Sequence, residues 1–108
     1  MPLLARIDGV TLSGTAQVVH SQSLGGVFVE EVFVTNASGA NPVTNVTVKE
    51  RPYAGGPAVP VGSIVASLAA GEASGIAVGK HVEHLDVEAT QGAGGNTVDV
   101  AVTSAAGR

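Results

Sequence analysis

The chain has no cysteine and no tryptophan. Without thiols it can build neither a disulfide framework nor a thiolate metal site, which suits a reducing compartment. Aromatic residues make up 3% of the chain, namely Phe28, Phe33 and Tyr53. That is too few for the exposed Trp or Tyr platforms on which sugars stack. Basic residues are equally scarce. Arg6, Lys49, Arg51, Lys80 and Arg108 are the only five, and they are scattered. Phosphate binding needs clustered Lys and Arg to release counterions, so nucleic acid is not an expected partner. The same shortage speaks against an anionic membrane surface. No apolar run approaches the ~18–20 residues that span a bilayer. The first six residues lack the basic segment and apolar stretch of a signal peptide, so a soluble protein made in the cytoplasm is expected.

What is present is small and apolar. Val occurs 19 times and Ala 16 times in 108 residues, and the apolar fraction is 44% against 13% charged. A chain of this length makes one domain with a modest core. Side chains this small suit thin sheets packed on one another better than a helix bundle. Mean hydropathy is +0.35, and with so little charge either some apolar surface is covered by a partner or by further copies, or a large core absorbs these residues.

The 15 Gly and 5 Pro divide the chain into short pieces, the spacing of an all-β protein. Alternation supports this. Val46 and Val48 point opposite to Asn45, Thr47 and Lys49, and Val98, Val100 and Val102 point opposite to Thr97, Asp99 and Thr103. The run 27–34 holds two adjacent acids, Glu30 and Glu31, inside a β-branched and aromatic stretch. A bulge there, or a strand covered on both faces, would reconcile it with a period of two. Residues 11–20, 63–68 and 76–78 are further strands. Residues 80–91 would align Val82, Leu85 and Ala89 as a helix, or Leu85, Val87 and Ala89 as a strand; the strand is favoured, since no Ser, Thr, Asp or Asn caps a helix start. Residues 92–96 then form a hairpin loop to the last strand, 36–42 a polar loop, and 69–72 a tight turn. The Pro- and Gly-rich stretch 51–57 breaks the middle of the chain. The expected fold class is all-β: an antiparallel, Ig-like β-sandwich of about seven short strands. Residues 1–9 form an N-terminal arm or first edge strand, and residues 10–108 the single sandwich domain.

Chemistry is sparse. His81, Glu83 and His84 are neighbours, and His84, Asp86 and Glu88 would share one strand face. A row along one strand does not converge on a metal at ~2 Å unless another strand contributes, and His20 is the only other imidazole. The glycine-rich stretch 92–96 is followed by a valine-alternating strand, not the helix that a phosphate loop needs. No nucleophile elbow occurs; Ser74 comes nearest and lies by a turn. Asn36-Ala37-Ser38 and Asn45-Val46-Thr47 fit the glycosylation sequon but read as turn and strand residues without a secretion signal. No catalytic residue, metal or cofactor is expected.

The segments Phe33-Val34-Thr35-Asn36, Pro42-Val43-Thr44-Asn45-Val46-Thr47-Val48 and Leu68-Ala69-Ala70-Gly71-Glu72 resemble the ordered repeats of bacterial Ig-like modules. That resemblance implies a sandwich with a non-catalytic role. In general character the short, Cys-free, Val/Ala/Gly-rich chain is similar to small bacteriophage virion proteins, the capsid decoration (cement) and head–tail proteins. This resemblance implies a structural virion protein, synthesised in the host cytoplasm. Its partners would be the major capsid protein or another virion protein and further copies of itself, a trimer being favoured by capsid symmetry. An Ig-like binding module beside a cell-surface or carbohydrate-active protein is the alternative. Expected contact residues are Leu3, Leu4 and Ile7 in the arm, which could add to a neighbour's sheet edge, and Tyr53, Pro57 and Pro60 in a loop over residues 51–60. Tyr53 has two roles open to it: an interface aromatic, or a plug at one end of the sandwich.

Overall fold

A computed structural model describes residues 3–53, 55–90 and 95–104. These form six strands: β1 (Leu3–Thr11), β2 (Gln17–Ser38), β3 (Val43–Arg51), β4 (Val59–Leu68), β5 (Ala73–Thr90) and β6 (Thr97–Thr103). All belong to one open antiparallel sheet of order β1-β6-β2-β5-β3-β4. All-β character and antiparallel pairing are as expected. The division into about seven short strands is not, because β2 runs for 22 residues and β5 for 18. The reason lies in the glycines. Gly25, Gly26 and Gly79 have positive φ inside these strands (66°, 85° and 62°), so they bend a continuing strand where a turn was expected. Strand 76–78 therefore merges with 80–90.

The β2–β5 ladder slips twice near its middle, between Ser23 and Val27 and between Val29 and Glu31. The second slip is the first of the two arrangements that the adjacent acids allowed, a bulge: Val29 and Val32 are both fully buried, which a single buried face with an unbroken period of two does not permit. Around these slips the long strands join two limbs. In the first limb the order is β1, β6, residues 31–38 of β2, then residues 73–77 of β5. In the second it is residues 17–23 of β2, residues 84–90 of β5, then β3 and β4. Val32, Val34, Ile76, Val98, Val100 and Val102 of the first limb share one hydrophobic cluster with Val19, Val46, Val48, Leu85, Val87 and Ala89 of the second. The shortest principal extent is 20 Å, which accommodates two layers about 10 Å apart with their outward side chains.

Connectivity also departs from expectation. β5 and β6 are not neighbours in the sheet, so the chain between them is no hairpin; residues 92–94 of that glycine-rich stretch lie outside the described residues. In place of Ig-type pairing, the first and last strands pair antiparallel with each other. The connections β1–β2, β2–β3, β4–β5 and β5–β6 all cross from one limb to the other. They are gathered at one end by two buried asparagines. Asn36 Nδ2 donates to the carbonyls of Asn41 and Leu68, both at 3.0 Å. Asn96 Nδ2 donates to Asn36 Oδ1 at 2.9 Å and to Asn41 O at 2.6 Å. Their backbones continue the clasp: Gly71 N–H donates to Asn36 O, Asn36 N–H to Glu72 O, and Leu12 N–H to Asn96 O. Each crossover thus reaches the pair, and every buried side-chain nitrogen and oxygen among the described residues has a partner.

Candidate functional site

The densest polar group lies on the outward face of the second limb. β5 places His84, Asp86 and Glu88 along that face, as the alternation predicts, opposite Arg51, Lys49 and Thr47 of β3. Ser21 of β2 pairs with Asp86 from the other side. Its Oγ donates to Asp86 Oδ1 at 2.6 Å and lies 2.8 Å from His84 Nε2. Arg51 Nε donates to Asp86 Oδ2 at 2.8 Å, and Lys49 Nζ meets Glu88 at 2.9 Å. Burial raises the Asp86 pKa, but the Ser21 hydrogen bond, the Arg51 hydrogen bond and charge, and the His84 charge together hold it below the usual carboxylate value.

Serine, histidine and aspartate in contact invite comparison with a nucleophilic triad. A relay needs the imidazole to take the serine proton on one nitrogen while the carboxylate holds the other. Here the same nitrogen, Nε2, faces Ser21 and, at 3.3 Å, Asp86. The serine proton is already given to Asp86, whose second oxygen is held by Arg51. The arrangement braces three strands against one another.

The other imidazoles stand apart. His20 Nε2 bonds Gln22 at 3.0 Å. His81 Nδ1 bonds the Gly26 carbonyl at 2.9 Å, its ring edge-on to Phe28 at 5.2 Å. Among the described residues no three metal-ligating side chains converge. Asn36 is fully buried, whereas Asn45 is exposed with φ 52°.

The expected contact residues fall into two separate groups. Leu3, Leu4 and Ile7 belong to β1, at one end of the sheet order. Leu3 is 56% exposed and Ile7 37%, while Leu4 packs partly against the core. Pro60 belongs to β4, at the other end, Tyr53 and Pro57 lie in the turn before it, and all three are exposed. Tyr53 does not plug the core: it is 61% exposed, and its ring lies over Gly56 of its own turn. That turn is tied by Gly56 N–H to Tyr53 O (2.9 Å) and by Arg51 Nη1 to Gly56 O (2.7 Å). Residues 52–71 carry no charge, and Val59 and Ile64 of β4 are exposed within them.

A shallow hollow of about 200 Å³ opens on the outward face of the first limb, walled by Leu3, Arg6, Phe33 and Asp99 over Thr35 and Ala101. Its charges are engaged already: Arg6 Nε with Asp8 at 3.1 Å, and Asp99 Oδ1 with the Gly9 amide at 2.8 Å.

No protein-family model matches the chain, and no curated protein or solved structure is detectably similar to it.

Residue-level reading missed the asparagine clasp. Its signal was an asparagine inside a β-branched strand, where that residue is disfavoured unless its amide is used.

Proposed function

We propose that this chain is a non-enzymatic structural protein of a bacteriophage virion, a capsid decoration or cement protein that stabilises the shell by contacts with the major capsid protein or another virion protein. The observation that carries the reading is where apolar and polar groups lie. Large apolar side chains are left exposed on both end strands of the sheet and on the turn tied by Arg51, whereas the groups that could do chemistry are spent on one another. An aromatic held on a short, braced turn between prolines loses little entropy on docking, as interface anchors require.

The fold is consistent with that role. Taken as two layers of a sandwich, the limbs have the strand order of a jelly roll in which the bends inside β2 and β5 replace two of the loops. That architecture is shared by viral capsid subunits, lectins and cupins. Fold alone does not assign function, so the weight rests on the surface.

The test is the composition of the particle. Virions purified from the host by density gradient and analysed by quantitative mass spectrometry should contain this chain in fixed ratio to the major capsid protein. Its presence only in the soluble fraction of the lysate, with none in the particle, overturns the reading.

A further inference from the structure

Among the described residues four strand segments border the two limbs without a second hydrogen-bonded neighbour: β1 and residues 73–77 in the first, residues 17–23 and β4 in the second. Such edges are templates for another strand. Two of them obstruct each other. A Cβ at Gly62 of β4 would stand 2.6 Å from the Ala77 carbonyl of β5, so these edges lie against one another. Segment 17–23 holds no Asp, Glu, Lys or Arg to set a register, and its first residue, Gln17, is engaged with Thr11 O and the Ser13 amide, both at 3.1 Å. β1 is left, and its side chains are distinctive. Arg6 and Asp8 flank Ile7 on the outward face, with side chains 66% and 56% exposed, and Leu3 and Ile7 are exposed beside them.

We propose that β1 is a self-association edge: two copies of this chain pair β1 antiparallel about a two-fold axis at Ile7, joining their first limbs into one continuous sheet. An isologous interface sets residues before the axis against residues after it. Centred on Ile7, that rule puts Arg6 of each copy opposite Asp8 of the other, on the same face. The ion pair within each chain becomes part of a ring of four alternating charges, while backbone amides and carbonyls of β1 supply the pairing. The occupant is a second copy because the strand's charge pattern is complementary to its own reverse. A two-fold pair replaces the trimer suggested by capsid symmetry. The inference rests on the structural reading only in expecting the chain to act through protein contacts.

Charge exchange tests it on the full chain. Solution mass is measured by light scattering over a concentration series for wild type, Arg6→Asp, Asp8→Arg, the double exchange, and an equimolar mixture of the two single variants. Circular dichroism confirms that each is folded. Wild type and the double exchange should reach dimer mass. Each single variant places like charges across the axis and should weaken dimerisation about tenfold or more. The mixture should recover it, because one chain then presents acids at both positions and the other presents bases at both. A wild-type monomer throughout the series overturns the pairing. So do single variants that keep the wild-type mass, or a mixture that stays monomeric. None of these outcomes touches the particle composition, on which the functional reading stands or falls separately.

Discussion

Replacing Asn36 by alanine tests whether the asparagine clasp holds the limbs together. The substitution removes two donated hydrogen bonds, to Asn41 O and Leu68 O, and one accepted from Asn96. A typical intramolecular hydrogen bond contributes about 1 kcal/mol net, so the three together amount to about 3 kcal/mol. The site is fully buried, and water does not replace the lost partners without opening the loops, which adds to that figure. Against a total stability of about 5–15 kcal/mol for a domain of this kind, that is a large fraction. At about 4–8 °C per kcal/mol, the midpoint should fall by at least about 12 °C. The assay is urea unfolding followed by circular dichroism, with thermal melting alongside. Asn41→Ala is the matched control. It removes an exposed side chain but leaves the accepting carbonyl, so it should stay within about 0.5 kcal/mol of wild type. A loss below about 1 kcal/mol for Asn36→Ala, or equal losses for both variants, would refute the argument.

Gly62→Ala combines a left-handed φ of 73° with a Cβ placed against the Ala77 carbonyl, so urea unfolding should register at least about 2 kcal/mol of destabilisation. Gly79→Ala, at φ 62° with open space around it, should register about 1 kcal/mol. Asp86 has a folded pKa below its ordinary 3.8. Its stabilisation is therefore complete above that value and is lost as pH falls through the folded pKa. Asp86→Asn should cost about 1–2 kcal/mol at neutral pH, discounted for the partly exposed Arg51, and should flatten the stability profile below about pH 4. Tyr53→Ala should leave the melting midpoint within a few degrees of wild type, since the residue is 61% exposed and its ring lies over Gly56 of its own turn; a large fall would mean that Tyr53 supports the core.

Strand identity was legible in the residues because alternation is a local property. Valines at 98, 100 and 102 and at 46 and 48 point inward wherever those strands are placed, and the acids at 30 and 31 called for either a bulge or a strand covered on both faces. Over residues 80–91 periodicity allowed a helix as well, and the missing helix cap favoured the strand that puts His84, Asp86 and Glu88 on one face. Ser21 and Arg51, which complete that polar group, come from strands far away in the chain, and no spacing rule joins them to it.

Glycine shows where local reading stops. At position 25, 26 or 79 it permits both a reversal of the chain and a bend within a strand, since positive φ serves either. The choice depends on whether a neighbouring strand continues to pair beyond the bend, and β2 and β5 do so for each other. The asparagines are the second case: an amide in a strand signals that its groups are used, but the carbonyls of Asn41 and Leu68 are brought to it only when four crossovers meet at one end. Composition and alternation alone therefore established an all-β chain with a valine core. Which strands neighbour one another, which edges stay open, and which polar groups meet were decided by tertiary pairing, because hydrogen bonds between distant segments leave no periodic trace in either of them.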